Sequence, residues 1–194
     1  MKAYMTPFVT QIDMPTGVIT DAPIVQHRNL SDMRGFYADA DAEEALSGAN
    51  PLIYSVYYGW NAPEVEGQLG YCTTVIYPGK VGGEYFMTKG HYHAKADRAE
   101  IYTGLSGTGL LIMMTPEGKV ETCEMRAGTI AYVPPYWAHR TINVGGDNFS
   151  FFAVFPADAG YDYGTIAREG FAEIVVERNG SPARAANPNF RRGG

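Results

Sequence analysis

Three of the four histidines in this 194-residue chain fall in two short segments. The first is Gly90-His91-Tyr92-His93, followed shortly by Glu100; the second is Pro134-Pro135-Tyr136-Trp137-Ala138-His139. Side chains alternate faces along an extended strand, so His91 and His93 project to one side. Glu100 directly precedes Ile101-Tyr102-Thr103 and is placed to open the next strand after a turn. His139 comes from a distant strand or turn and joins the set only if the sheet curls back on itself. Three imidazoles and one carboxylate suit a divalent transition metal such as iron, manganese, nickel or zinc, with positions left for substrate. A lone His-x-His pair arises often by chance, but the full set in a chain otherwise almost free of histidine reads as a metal site.

A curled, strand-rich scaffold must position these residues, and the texture from Pro51 onward supplies one. Leu52–Tyr58, Tyr71–Tyr77, Gly109–Met114, Thr129–Val133 and Phe149–Phe155 are rich in β-branched, aromatic or apolar residues. Turn residues bound them, among them Pro78-Gly79, Pro116-Glu117-Gly118 and Gly145-Gly146-Asp147. Many short strands with little helix predict an all-β sandwich or barrel. Residues 1–50 read as an arm of short strands belonging to the same domain, with one short helix over Asp41–Leu46, Asp41 as its N-cap and Gly48 just past its end. Residues 51–178 form the expected barrel, and residues 179–194 a polar, mobile tail or arm ending in a solvated Arg191-Arg192 pair. The Gly pairs at Gly82-Gly83 and Gly145-Gly146 precede no helix and read as turns, not as a phosphate-binding loop.

Composition narrows the partners. The length fits one domain with a sizeable core. A net charge of −6 without a basic stripe argues against nucleic acid. It leaves room for an anionic substrate, because local donors and a metal set the field inside a pocket. Cys72 and Cys123 are too few for a disulfide framework and too far apart for a Cys-x-x-Cys pair, so they read as reduced, buried thiols of a cytoplasmic protein. No signal peptide and no membrane-spanning run are expected.

The two histidine segments resemble the paired motifs of the cupin superfamily. His91, His93, Glu100 and Gly107 match the first motif, with a slightly longer gap before the glutamate than the commonest form. Gly128, Pro134, His139 and Asn143 match the second, which carries Gly where this chain has Tyr136. A closer resemblance spans roughly Thr6 to Asn179. Tyr85–His93, Tyr132–Thr141, Pro156–Gly160 and Tyr163–Ile166 are similar to the cupin-type phosphoglucose isomerases, the metal-dependent enzymes first associated with archaea.

That resemblance implies a double-stranded β-helix (jelly-roll) barrel with N-terminal strands and few short helices. It also implies interconversion of glucose 6-phosphate and fructose 6-phosphate in a homodimer, at one divalent metal per subunit, with Fe2+ favoured and Mn2+, Ni2+ or Zn2+ as alternatives. The implied ligands are His91, His93, Glu100 and His139. Substrate contacts map to Thr74, Thr88, Gly90 and Tyr163, with Tyr102, Tyr136 and Tyr161 nearby. Two positions depart from a relative: Tyr161 stands in place of a histidine, and Phe155 in place of a tyrosine linked to proton handling. A phenol such as Tyr102, Tyr136 or Tyr92 could take over that task, or the task is dispensable.

The chemistry requires a polarised carbonyl, a moving hydrogen and a held phosphate. A proton-transfer route makes Glu100 the base, although metal ligation lowers the basicity of a carboxylate. A hydride shift between the two carbons leaves Glu100 a ligand. The proton route is the working expectation. Thr88 and Thr74 hydroxyls, the Gly90 amide and the Tyr163 phenol can all donate to a phosphate. Strand alternation points Lys89 and Arg140 away from His91 and His139, toward a surface or subunit contact. An iron cupin dioxygenase and a non-catalytic sugar-phosphate-binding cupin are the alternatives.

Overall fold

The computed structural model describes residues 4–192; residues 1–3 and 193–194 of the expected arm and tail lie outside them. The chain begins with β1 (Ile12–Asp13), β2 (Val18–Ile19) and β3 (Ile24–Asn29), a 3-10 turn over Leu30–Met33, and helix α1 (Ala40–Ser47). Strands β4 (Leu52–Tyr58), β5 (Leu69–Ile76), β6 (Lys80–Val81) and β7 (Glu84–Tyr85) follow, then β8 (Glu100–Ser106), β9 (Thr108–Met114) and β10 (Val120–Arg126). After β11 (Ile130–Val133), β12 (Ala138–Asn143) and β13 (Phe149–Pro156) come helix α2 (Tyr163–Glu169) and the hairpin of β14 (Glu173–Arg178) and β15 (Ser181–Ala186).

A six-stranded sheet runs in the order β11-β8-β13-β5-β4-β3, and a three-stranded sheet in the order β10-β9-β12. From β8 to β13 the chain passes back and forth between these sheets, the winding of a jelly-roll barrel. Both sheets feed one core, where Ile53, Ile76, Phe149 and Phe151 meet Leu111, Met113 and Ile142. The corner between β8 and β9 depends on Gly107: its φ is +71°, and a Cβ there would stand 2.3 Å from the Asn148 carbonyl oxygen. The all-β barrel with few short helices expected from the sequence is the fold observed.

Several local expectations differ from what is seen. Helix α1 is capped by Asp39, whose carboxylate accepts the Ala42 amide at 2.9 Å, and not by Asp41. Asp41 sits inside the first turn, where an acid complements the exposed amides. Strand β3, placed by sequence in the arm, pairs with β4 in the main sheet. The expected mobile tail instead supplies β15, fully paired with β14. Its Asn187 side chain donates to the Phe171 carbonyl, which fastens the segment beyond the hairpin. Helix α2 was not foreseen; Asp162 caps it by accepting from the Thr165 amide and hydroxyl. Cys72 is buried as expected, while Cys123 is only half-buried; both are free thiols.

Candidate metal centre and substrate pocket

Backbone pairing assembles the histidines. The segment after β7 runs antiparallel to β12, with His91 and His139 as direct partners: each amide donates to the other's carbonyl, at 3.2 and 3.0 Å. Cross-strand partners project side by side, and the two rings lie 4.4 Å apart, centre to centre. His93, two residues on, falls on the same face, with its ring 5.6 Å from His91 and 5.2 Å from His139. Glu100 opens β8 as expected, and its Oε2 reaches His93 Nε2 at 3.2 Å and His139 Nε2 at 3.1 Å. One donor atom from each of the four residues falls within 4.8 Å of all the others.

The polar bookkeeping of this cluster is incomplete without a cation. His93 Nδ1 donates to the Arg98 carbonyl at 2.9 Å and His139 Nδ1 lies 3.3 Å from the Trp137 carbonyl, which turns both Nε2 atoms inward. His91 Nε2 is buried with no hydrogen-bond partner. His139 Nε2 is likewise unsatisfied, since its approach to Glu100 lacks hydrogen-bond geometry. Buried, convergent lone pairs beside a carboxylate are what a divalent metal would satisfy. The donor set therefore fits the group.

The electrostatics differ from one donor to the next. Burial, then the neighbouring imidazoles, push the His91 pKa well below the ordinary histidine value, keeping its lone pair free. Burial alone would lower His93 too, but the bond to Glu100 holds it above the ordinary value. Burial would raise Glu100, yet the interactions with His139 and His93 outweigh it and hold the carboxyl below its usual range. Behind the cluster, Asp158 receives Arg98 Nη2 at 2.8 Å and Lys95 Nζ at 2.7 Å, fixing the loop whose carbonyl holds His93.

The cluster floors a pocket. Of the residues expected to contact substrate, Thr74, Thr88, Gly90, Tyr102, Tyr161 and Tyr163 line it. Helix α2 explains the last two: its start is bridged to Tyr92, and the Tyr161 and Tyr163 rings stand 5.0 and 5.2 Å from His91. Tyr136 is not brought in. It occupies the left-handed region at φ +71°, where the cupin pattern has glycine, and its side chain is 59 % exposed outside the pocket. Tyr92 does not line the pocket either, whereas Phe155 does.

Two cations were missed. Lys89 lines the pocket beside Gly90, whose φ is +72°, and its ammonium lies over the Phe36 ring. Arg28 reaches the same space from β3. Burial, and then the charge of Arg28, lower the Lys89 pKa below the ordinary lysine value. Arg140 does face away from His139, but it is buried and not at a surface. Only the polar types in the Gln26–Asn29 segment signal Arg28, and they do not distinguish a pocket from solvent.

A double-sheeted barrel that gathers three imidazoles and a carboxylate at the base of one pocket defines a cupin. The glucose-6-phosphate isomerase (GPI) family model matches residues 27–191. The chain is 52% identical over 187 residues to glucose-6-phosphate isomerase of Thermococcus gammatolerans, covering 96% of this chain and 98% of that protein. The Pyrococcus furiosus enzyme of the same name is 49% identical over 190 residues, covering 97% and 100%. A putative glucose-6-phosphate isomerase 1 of Rhizobium meliloti is 38% identical over 195 residues, covering 98% and 91%. The chain belongs to the glucose-6-phosphate isomerase family.

Proposed function

We propose that this protein interconverts glucose 6-phosphate and fructose 6-phosphate at a divalent metal held by His91, His93, Glu100 and His139. The observation that carries the reading is a single pocket with a metal-donor cluster at its floor and two cations, Arg28 and Lys89, on its wall. A bound metal would supply Lewis acidity at the sugar oxygens. Arg28 and Lys89, with Thr74, Thr88, the Gly90 amide and Tyr163, would hold the phosphate so that the C1–C2 end meets the donor cluster.

Glu100 is the catalytic carboxylate of this reading. Ligation to a metal would draw charge from its oxygens and leave it a weak base. The favoured route is therefore hydrogen transfer directly between the two carbons, a revision of the proton route expected from sequence. Turnover in deuterated water separates the two: retention of substrate hydrogen supports direct transfer, and extensive label at C2 overturns it.

Fe2+ is the proposed native ion, ahead of Mn2+, Ni2+ and Zn2+. A homodimer is proposed through the outer face of β8 and β11, where Ile101, Ile130 and Tyr132 are exposed side by side. No helix among the described residues is long and apolar enough to cross a membrane, and a cytoplasmic location is proposed. The test of the activity is a coupled isomerase assay on chelator-stripped protein reloaded with each metal in turn. Recovery of fructose 6-phosphate turnover is expected; no turnover with any of the four metals sinks the proposal.

A further inference from the structure

Strand β12 separates two polar spaces. His139 faces the pocket already described, and Arg140 faces a second cavity of about 260 Å³ that shares no lining residue with it. Arg140 is 4 % exposed, with its guanidinium stacked 4.6 Å from the Phe171 ring centre. Its Nε and Nη2 donate to the Lys89 carbonyl at 3.2 and 2.7 Å. Among the described residues no carboxylate forms an ion pair with it. Glu84, the first acidic influence on it, accepts the Ala38 amide on Oε2 at 2.9 Å, and its Oε1 is buried without a partner.

Glu84 acts on Arg140 without contact, so this buried cation lacks a paired counter-charge, which is costly. The cavity does not supply one, because none of its lining residues is acidic. It adds two more cations, Arg168 from the end of α2 and Arg191 from the C-terminal segment. Neither is ion-paired among the described residues; Arg168 donates only to the Thr165 hydroxyl, at 3.2 Å. Tyr37 lines the same cavity with a buried hydroxyl that has no partner. Three arginines lining one cavity with no acidic lining residue offer donors suited to a tetrahedral dianion.

We propose that this cavity, lined by Arg140, Arg168 and Arg191, is a second anion site that takes a phosphate group. The group would be free phosphate or the phosphoryl end of a small monoester, held behind the catalytic pocket. Through Arg140 the site touches the carbonyl of Lys89, so the occupied cavity would brace the loop that leads into Gly90 and His91. The site does not depend on the proposed isomerase activity, and its test reads binding alone.

The experiment is equilibrium dialysis of labelled inorganic phosphate against metal-loaded wild-type protein and the double variant Arg168→Gln/Arg191→Gln. Both positions are exposed, and an unchanged circular dichroism spectrum and melting temperature check that the variant folds. The variant is expected to bind one fewer phosphate per chain than wild type. Equal stoichiometry in the two proteins overturns the site, whether or not the catalytic pocket itself holds phosphate. A second arm adds excess fructose 6-phosphate to wild type. Retention of the variant-sensitive phosphate supports the site with free phosphate as its ligand, and displacement supports it with a phosphomonoester.

Discussion

The two ends of the catalytic pocket are built on opposite plans. At the donor end His93, Glu100 and His139 are all buried, locked by backbone pairing and by carbonyls behind two of the imidazoles. At the cation end Arg28 and Lys89 are half-buried, long and lightly tethered: Arg28 leans on Gln26 Oε1 at 3.0 Å, and Lys89 hangs over the Phe36 ring. Bond rearrangement tolerates little misplacement, so rigidity belongs where the hydrogen moves. A phosphate dianion is held by charge and by several interchangeable donors, so the other end can remain adaptable. On the proposed reading, the donor end would govern kcat and the cation end KM.

Breaking the donor end has the largest expected effect. His139→Ala removes a ligand and should lower kcat about a thousandfold, the equivalent of about 4 kcal/mol of Lewis-acid stabilisation. Metal content by mass spectrometry should fall with it; a fully active variant would remove His139 from the set. At the cation end, Arg28→Gln or Lys89→Gln should raise KM for fructose 6-phosphate about thirtyfold, near 2 kcal/mol for a charge-assisted contact, with kcat changed far less. An equal fall in kcat and kcat/KM would contradict the division between the ends.

The pH dependence sharpens the same contrast. Lys89 is charged below its pKa, and that pKa lies below the ordinary lysine value. Substrate affinity should therefore weaken on the alkaline side earlier than an exposed lysine would allow, and Lys89→Gln should flatten that limb of the KM profile. A smaller change is expected from Asp158→Asn, which loosens the loop carrying the Arg98 carbonyl: metal affinity should drop about tenfold by titration, with substrate KM preserved. The smallest belongs to Phe155→Tyr, between the two ends. It should alter kcat by less than about tenfold, because the Tyr102, Tyr161 and Tyr163 phenols already line the pocket. A larger rise would show that the missing hydroxyl limits turnover.

The donor end was legible in the sequence, and the cation end was not. Histidine is rare in this chain, so its clustering stood out, and the two-residue period of a strand sufficed to put His91 and His93 together. Strands such as β4 were visible because β-branched and aromatic residues filled them between turn signals. Lys89 lines the pocket although strict alternation turns it away, and Gly90 beside it is in the left-handed region, where a regular strand pattern no longer applies. Arg140 was put on the correct side of β12, but the residue pattern held no sign that Phe171 would cover it. The C-terminal hairpin escaped for a related reason: Ser181–Ala186 is nearly all small or polar, and only its partner β14 makes it a strand.

The pairing of His91 with His139 has a consequence in time as well as in space. The partners are far apart in sequence, and joining them requires the β8–β11 segment between them to be wound into the barrel. Such distant contacts form late, after the loop-closing entropy has been met by the rest of the sheet. Nascent or partly unfolded chains therefore hold only the adjacent His91–His93 pair, a weak chelator. On the proposed reading, tight metal capture would wait until the barrel has closed.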